Sequence, residues 1–302
     1  MTTVATTAAS SSRGWRQMIA RHPVTAMLVL MFGVGWVILI PAALAGVPLI
    51  PLPLLATIFL AQLLPAVVVT AATGGRPAVR ELFGRVFRWR VNPVWYALAL
   101  LVIPVAALLG TSLVFGTGAL QALFTDRNVI LDYLSSLTIL PLVNLWEETA
   151  WMGVVQAGLA RYRGPLLAAV VTGPLFGLLH MPLELGKPVG DFMLTMAALM
   201  VFGILIRIVI GWLYNVTGGS ILLVAILHVT FNATNNTQLL AAAAPGQILL
   251  TPGGGAVQLV VAIWALALVI ITRGRLGRRD EKSPGNDGEV VHNIDKVTAF
   301  RL

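Results

Sequence analysis

The stretch NLWEETAWMG, residues 144–153, lies inside an apolar run long enough to cross a bilayer and carries two adjacent carboxylates, Glu147 and Glu148. The chain has 12 acidic residues in 302, with 58% hydrophobic and 11% charged residues, so two neighbours at this place need a reason. At the bilayer centre an ionised carboxylate costs on the order of 3 kcal/mol on insertion scales. The pair must therefore face protein or a water-filled cavity. Successive helix residues point about 100° apart, so only one of the two faces that cavity squarely. Its neighbour requires a partner on another helix.

Outward from this stretch, apolar runs recur near 23–45, 51–73, 94–116, 135–160, 164–184, 192–213, 219–237 and 256–272. A helix needs about 20 residues to cross roughly 30 Å of hydrocarbon, and the mean hydropathy is +0.88. The fold class that follows is all-α: a polytopic integral membrane protein of about eight transmembrane helices. With the N-terminus cytoplasmic, all of the 20 Lys and Arg except Arg127 and Lys187 fall on or near the cytoplasmic side. The charge of +8 is thus a topology signal with both termini cytoplasmic, which points to membrane lipid and to no nucleic acid as partner. Cysteine is absent, so disulfides and thiolate chemistry are excluded.

Residues 1–22 open with MTTVATTAASSS and predict a disordered cytoplasmic arm. Residues 23–134 hold the N-terminal membrane helices and an interfacial helix over 76–93. There RPAVRELFGRVFRWRV sets Val79, Leu82, Phe83 and Val86 at helical spacing against Arg80, Arg85 and Arg88. Such a segment anchors topology on an anionic leaflet. Residues 135–240 carry the unusual polar positions, 256–272 form a last membrane helix, and 273–302 form a cytoplasmic tail.

In the fifth run FGLLH places Phe176 and His180 four apart, and in the seventh HVTFN places His228 and Asn232 four apart. Side chains at that spacing share a helix face. Taken singly, each has a plain reading: an interhelical hydrogen bond for either His, packing for Phe176, helix-packing polarity for Asn144 and Thr149, interface charge for Glu184 and Asp191. Together, two carboxylates, two His and an Asn on three helices exceed what folding requires. Glu147, Glu148, His180, His228 and Asn232 are therefore the candidate active site. Counting along ideal helices puts Glu147 and His228 about 12–14 Å above the cytoplasmic boundary but His180 about 24 Å above it, so the fifth helix must start late or tilt.

These residues resemble the CAAX-processing and bacteriocin-processing membrane peptidases, the glutamic intramembrane proteases, whose pattern is EExxxR, then FxxxH, then HxxxN or HxxxD. Glu147-Glu148, Phe176 to His180 and His228 to Asn232 stand in that order. The resemblance implies a metal-independent endopeptidase without cofactor, acting on a membrane-associated protein or peptide in the plasma membrane of a bacterium. It implies Glu147 as general base on a water, His180 helping to hold that water, and His228 and Asn232 as oxyanion donors. The family's Arg position is Met152 here, four residues after Glu148, so restoring Arg there should restore an ion pair; Arg207 in the sixth run is the alternative counter-ion. Three rival readings stand beside the peptidase: a Glu/His zinc site, a non-catalytic scaffold or immunity protein of the same family, and a proton-coupled transporter.

Overall fold

The structure is a computed structural model and describes residues 14–236, 238–240 and 254–278. Every regular element among them is helical. A short helical stretch, 14–21, precedes α1 (Pro23–Leu44); then follow α2 (Leu52–Val86), α3 (Pro93–Phe115), α4 (Gly118–Thr125), α5 (Arg127–Ile139), α6 (Pro141–Arg163), α7 (Pro165–Leu179), α8 (Val189–Val216), α9 (Ile221–Asn236) and α10 (Gly254–Thr272). Residues 1–13 of the expected arm and 279–302 of the expected tail lie outside the described residues. Proline opens α1, α3, α6 and α7, where its missing N–H is one that a helix cannot satisfy internally anyway.

All eight expected runs are helical, but they are not eight equal spans. Among the described residues five helices are long and apolar enough to cross a membrane: α1, α2, α3, α8 and α10. The fourth run divides into two helices, Arg127–Thr138 and Pro141–Arg163, bent by 42° to each other; Leu140 keeps helical backbone, but Pro141 has no N–H to continue the ladder and its ring crowds the preceding turn. The fifth and seventh runs become the short helices α7, of 15 residues, and α9, of 16. At 1.5 Å per residue each reaches only about 22–24 Å. The rest of the fifth run leaves α-geometry at His180 and continues as a 3₁₀ turn over Met181–Glu184, with Pro182 inside it.

In α2 the backbone leaves the helix at Gly75 (φ 64°, ψ −158°), a conformation open to glycine, and residues 76–86 resume as a helix after the kink. α8 and α9 meet through Gly218 and Gly219, both at positive φ. Apolar side chains such as Val29, Val37, Leu101, Leu113, Ile263 and Ile270 stand exposed along the outer faces, the surface of a polytopic membrane protein and not of a water-soluble one. Inside are two apolar clusters. One joins α3, α8, α9 and α10 through Ile103, Leu213, Leu223, Leu227 and Val261; the other joins α1, α2, α6 and α7 through Met27, Met31, Val69, Trp151 and Phe176. The candidate residues lie where the two clusters meet.

Candidate active site

α6 carries Glu147 and Glu148 two turns beyond Pro141, immediately before a π-helical segment over Trp151–Gln156. Such wide turns recur at functional sites because they re-aim neighbouring side chains. Glu148 is fully buried and so is Arg207 of α8, whose two terminal nitrogens grip both carboxylate oxygens at 2.8 Å. This is the bidentate fork that suits guanidinium to carboxylate. Arg207 is itself held between two rings, its guanidinium carbon 4.3 Å from the Phe176 centroid and 5.7 Å from that of Trp151. Arg207 thus takes the counter-ion role that the sequence pattern places at residue 152, and Met152 is buried among apolar side chains. The expectation that Arg at 152 would restore a missing pair is corrected: Glu148 already has its cation.

His228 of α9 closes the same group, its Nδ1 lying 2.7 Å from Glu148 Oε1 and 3.8 Å from Glu147 Oε2. A carboxylate only accepts, so the Nδ1 proton is the one donated. Glu147 has different company. Asn144 Nδ2 donates to its Oε2 at 3.0 Å, and Asn232 Nδ2 reaches Asn144 Oδ1 at 3.4 Å. Asn144, read from sequence as packing polarity, is therefore the link between Glu147 and Asn232. Glu147 keeps 8% of its side-chain surface accessible, where Glu148 keeps none.

His180 joins through a ring and not through a hydrogen bond. It caps the C-terminus of α7, and its Nδ1 donates back to the Phe176 carbonyl at 2.8 Å, which leaves Nε2 of a neutral ring as an acceptor. The Phe176 ring lies edge-on to His180 at 4.9 Å and to His228 at 5.7 Å. Hydrogen bonds thus join Glu148 with His228, and Glu147 with Asn232 through Asn144; the 3.8 Å approach of His228 to Glu147 brings the two pairs together, and His180 joins through Phe176. Phe176, expected to be simple packing, touches both histidines and the guanidinium. α7 begins at Pro165, so a late start is not what brings His180 to the group; the ring stands at the end of α7 with Phe176 between it and His228.

Helix packing sets these distances. On α7, Gly173 and Gly177 lie against α8 so closely that a Cβ at Gly177 would stand 2.6 Å from the Leu199 carbonyl oxygen, and one at Gly173 would overlap the backbone of Ile204. Small residues four apart are what permit such an approach in a membrane. One turn beyond Arg207 on α8, the missing Cβ of Gly211 admits Gln156, whose Nε2 donates to the Arg207 carbonyl at 2.9 Å. Gln156 and the glycines are positioning elements that motif reading missed; the signal for the glycines was their spacing. Among the described residues no group of three or more His, Asp or Glu is disposed to hold a metal ion.

The family model for type II CAAX prenyl endopeptidases, Rce1-like, matches residues 128–234, a stretch that contains all five candidate residues and Arg207. No curated protein matches the chain. Over residues 128–234 this integral membrane protein carries a stretch similar to the CAAX-processing and bacteriocin-processing membrane endopeptidases.

Proposed function

We propose that the chain is a metal-independent intramembrane glutamic endopeptidase that hydrolyses a peptide bond in a membrane-associated protein or peptide. The observation that carries this reading is the division between the two carboxylates. Glu148 is committed to Arg207 and His228, whereas Glu147 has one side-chain partner within 3.5 Å, Asn144, and retains accessible surface. Water reaches the second and not the first. In the reaction a water oxygen attacks the scissile carbonyl carbon as Glu147 takes its proton, and the carbonyl π electrons move onto oxygen. The oxyanion then re-forms the carbonyl, the C–N bond breaks, and the leaving amine takes the proton back from Glu147. His180 holds the water through Nε2. Asn232 donates from its second amide hydrogen, and His228 donates from Nε2 when both ring nitrogens are protonated.

The reading needs no metal, because the cation beside Glu148 is Arg207. The arginine distribution further supports an orientation in which both termini are cytoplasmic in a bacterial plasma membrane, with membrane lipid as the surrounding partner. A scaffold of the same family remains the second reading, and Met152 in place of the family's Arg is what favours it. The two separate in membranes of cells making the wild-type chain or Glu147→Ala. A truncated membrane polypeptide present with the wild type and missing with the variant, at matched expression, is the expected outcome. Identical membrane proteomes together with an unchanged phenotype would move the assignment to the scaffold.

A further inference from the structure

A second concentration of charge lies where several helices end together. Arg85 and Arg88 at the end of α2, Arg161 in the last turn of α6 and Arg278 beyond α10 line, with Glu81 and Tyr214, a cavity of about 360 Å³. Four guanidinium groups thus face one carboxylate. Part of this is helix capping: Arg88 Nη1 donates to the Gly218 carbonyl and Arg278 Nη1 to the Ala160 carbonyl, each at 2.7 Å. Glu81 is ion-paired with Arg85, which also donates to the Tyr214 hydroxyl at 3.0 Å. A guanidinium carries five N–H donors, so Arg88 and Arg278 have donors beyond those the caps use. Arg161 has no hydrogen bond or ion pair among the described residues. Capping requires one donor per carbonyl and gives no reason for an excess of three positive charges around a void.

We propose that this cavity binds the phosphate group of an anionic membrane lipid. Phosphate is the chemistry that several convergent guanidinium forks match. The rim supports a lipid as its source. Trp89 and Tyr162, each next in sequence to a cavity arginine, are 62% and 64% exposed, and the Arg90 guanidinium lies 5.1 Å from the Trp89 ring centroid. Exposed amphipathic rings collect at headgroup depth, where a lipid phosphate is already present. Met152, one turn beyond Glu148, is part of the cavity wall, so a headgroup there steadies the helix that carries both carboxylates.

Diffuse attraction to an anionic leaflet treats the arginines of this end alike, whereas a built site ranks them. The test is native mass spectrometry of the purified full chain in detergent, titrated with phosphatidylglycerol, phosphatidylcholine or inorganic phosphate. Phosphatidylglycerol should remain bound in preference to phosphatidylcholine. Arg161→Gln removes no hydrogen bond among the described residues and should weaken phosphatidylglycerol about fivefold, while Arg80→Gln, outside the cavity on the same segment, should change it by less than about twofold. Equal retention of the two lipids, equal losses in the two variants, or binding of inorganic phosphate without lipid retention would each overturn the proposal.

Discussion

Glu147 and Glu148 are chemically identical neighbours, and their surroundings differ. Glu148 meets a guanidinium and an imidazole, both buried; Glu147 meets one amide nitrogen at hydrogen-bonding distance and keeps 8% of its side-chain surface accessible. Glu147→Gln keeps the shape and an acceptor but removes the basicity, so turnover should fall about 10³-fold with folding unchanged, read as product formation against thermal unfolding in detergent. Partial turnover above a tenth of wild type would exclude Glu147 as the base. Arg207→Met strands Glu148 and should cost about 3–5 kcal/mol of stability. Arg207→Met combined with Met152→Arg tests whether residue 152 still reaches Glu148 from its turn. Recovery of about half the lost stability is expected, short of full because the contacts of Arg207 with Phe176 and Trp151 are not rebuilt. Met152→Arg alone should give no gain, since both oxygens of Glu148 are already bonded.

The short helices are the elements that make the site. α7 lies against α8 at backbone distance, which carries Phe176 over Arg207 and stops the chain at His180. Gly177→Ala inserts a methyl 2.6 Å from the Leu199 carbonyl oxygen. The neighbour is backbone and cannot swing away, so α7 must move, at about 1–3 kcal/mol and with loss of the Phe176–Arg207 contact. Gly190→Ala, on α8 where no atom lies within 4 Å, is the matched control. Equal unfolding temperatures for the two variants would show that the α7–α8 approach does not position the site. The π segment after Glu148 belongs to the same scale: it leaves Gln156 buried and bonded to the Arg207 carbonyl, joining α6 to α8 level with the ion pair.

Across the whole molecule, the C-terminal ends of α2, α6 and α8 and the turn after α10 come together, tied by Arg88 to Gly218, Asn215 to the Leu276 carbonyl and Arg278 to Ala160. Arg85, Arg88, Arg90, Arg161, Arg163, Arg273, Arg275 and Arg278 stand at or just beyond the ends of α2, α6 and α10, so the charge bias and the packing agree on one basic face. A reporter fused after Leu302 should be active only in the cytoplasm, and one inserted at Gly186, in the turn after α7, only on the outer side; the reverse pattern would invert the topology. Much of this was legible in sequence because lipid imposes simple rules. Backbone groups in hydrocarbon must bond internally, so apolar runs of 20 residues announce helices, and carboxylates within such a run announce an interior. Spacing of four also placed Phe176 with His180 and His228 with Asn232 on shared faces. Hydropathy left unsaid that two of the runs are short helices and one is bent, since an apolar residue looks the same in a span, a 3₁₀ turn or a buried half-helix. Which of the two glutamates meets Arg207, that Asn144 joins Glu147 to Asn232, and that Phe176 joins His180 to the rest are contacts between helices, and only the packing of α6, α7, α8 and α9 decided them. Arg207 stands 59 residues from Glu148; a pair that distant is set by where missing Cβ atoms let backbones approach, a property of two surfaces together and not of either sequence segment alone.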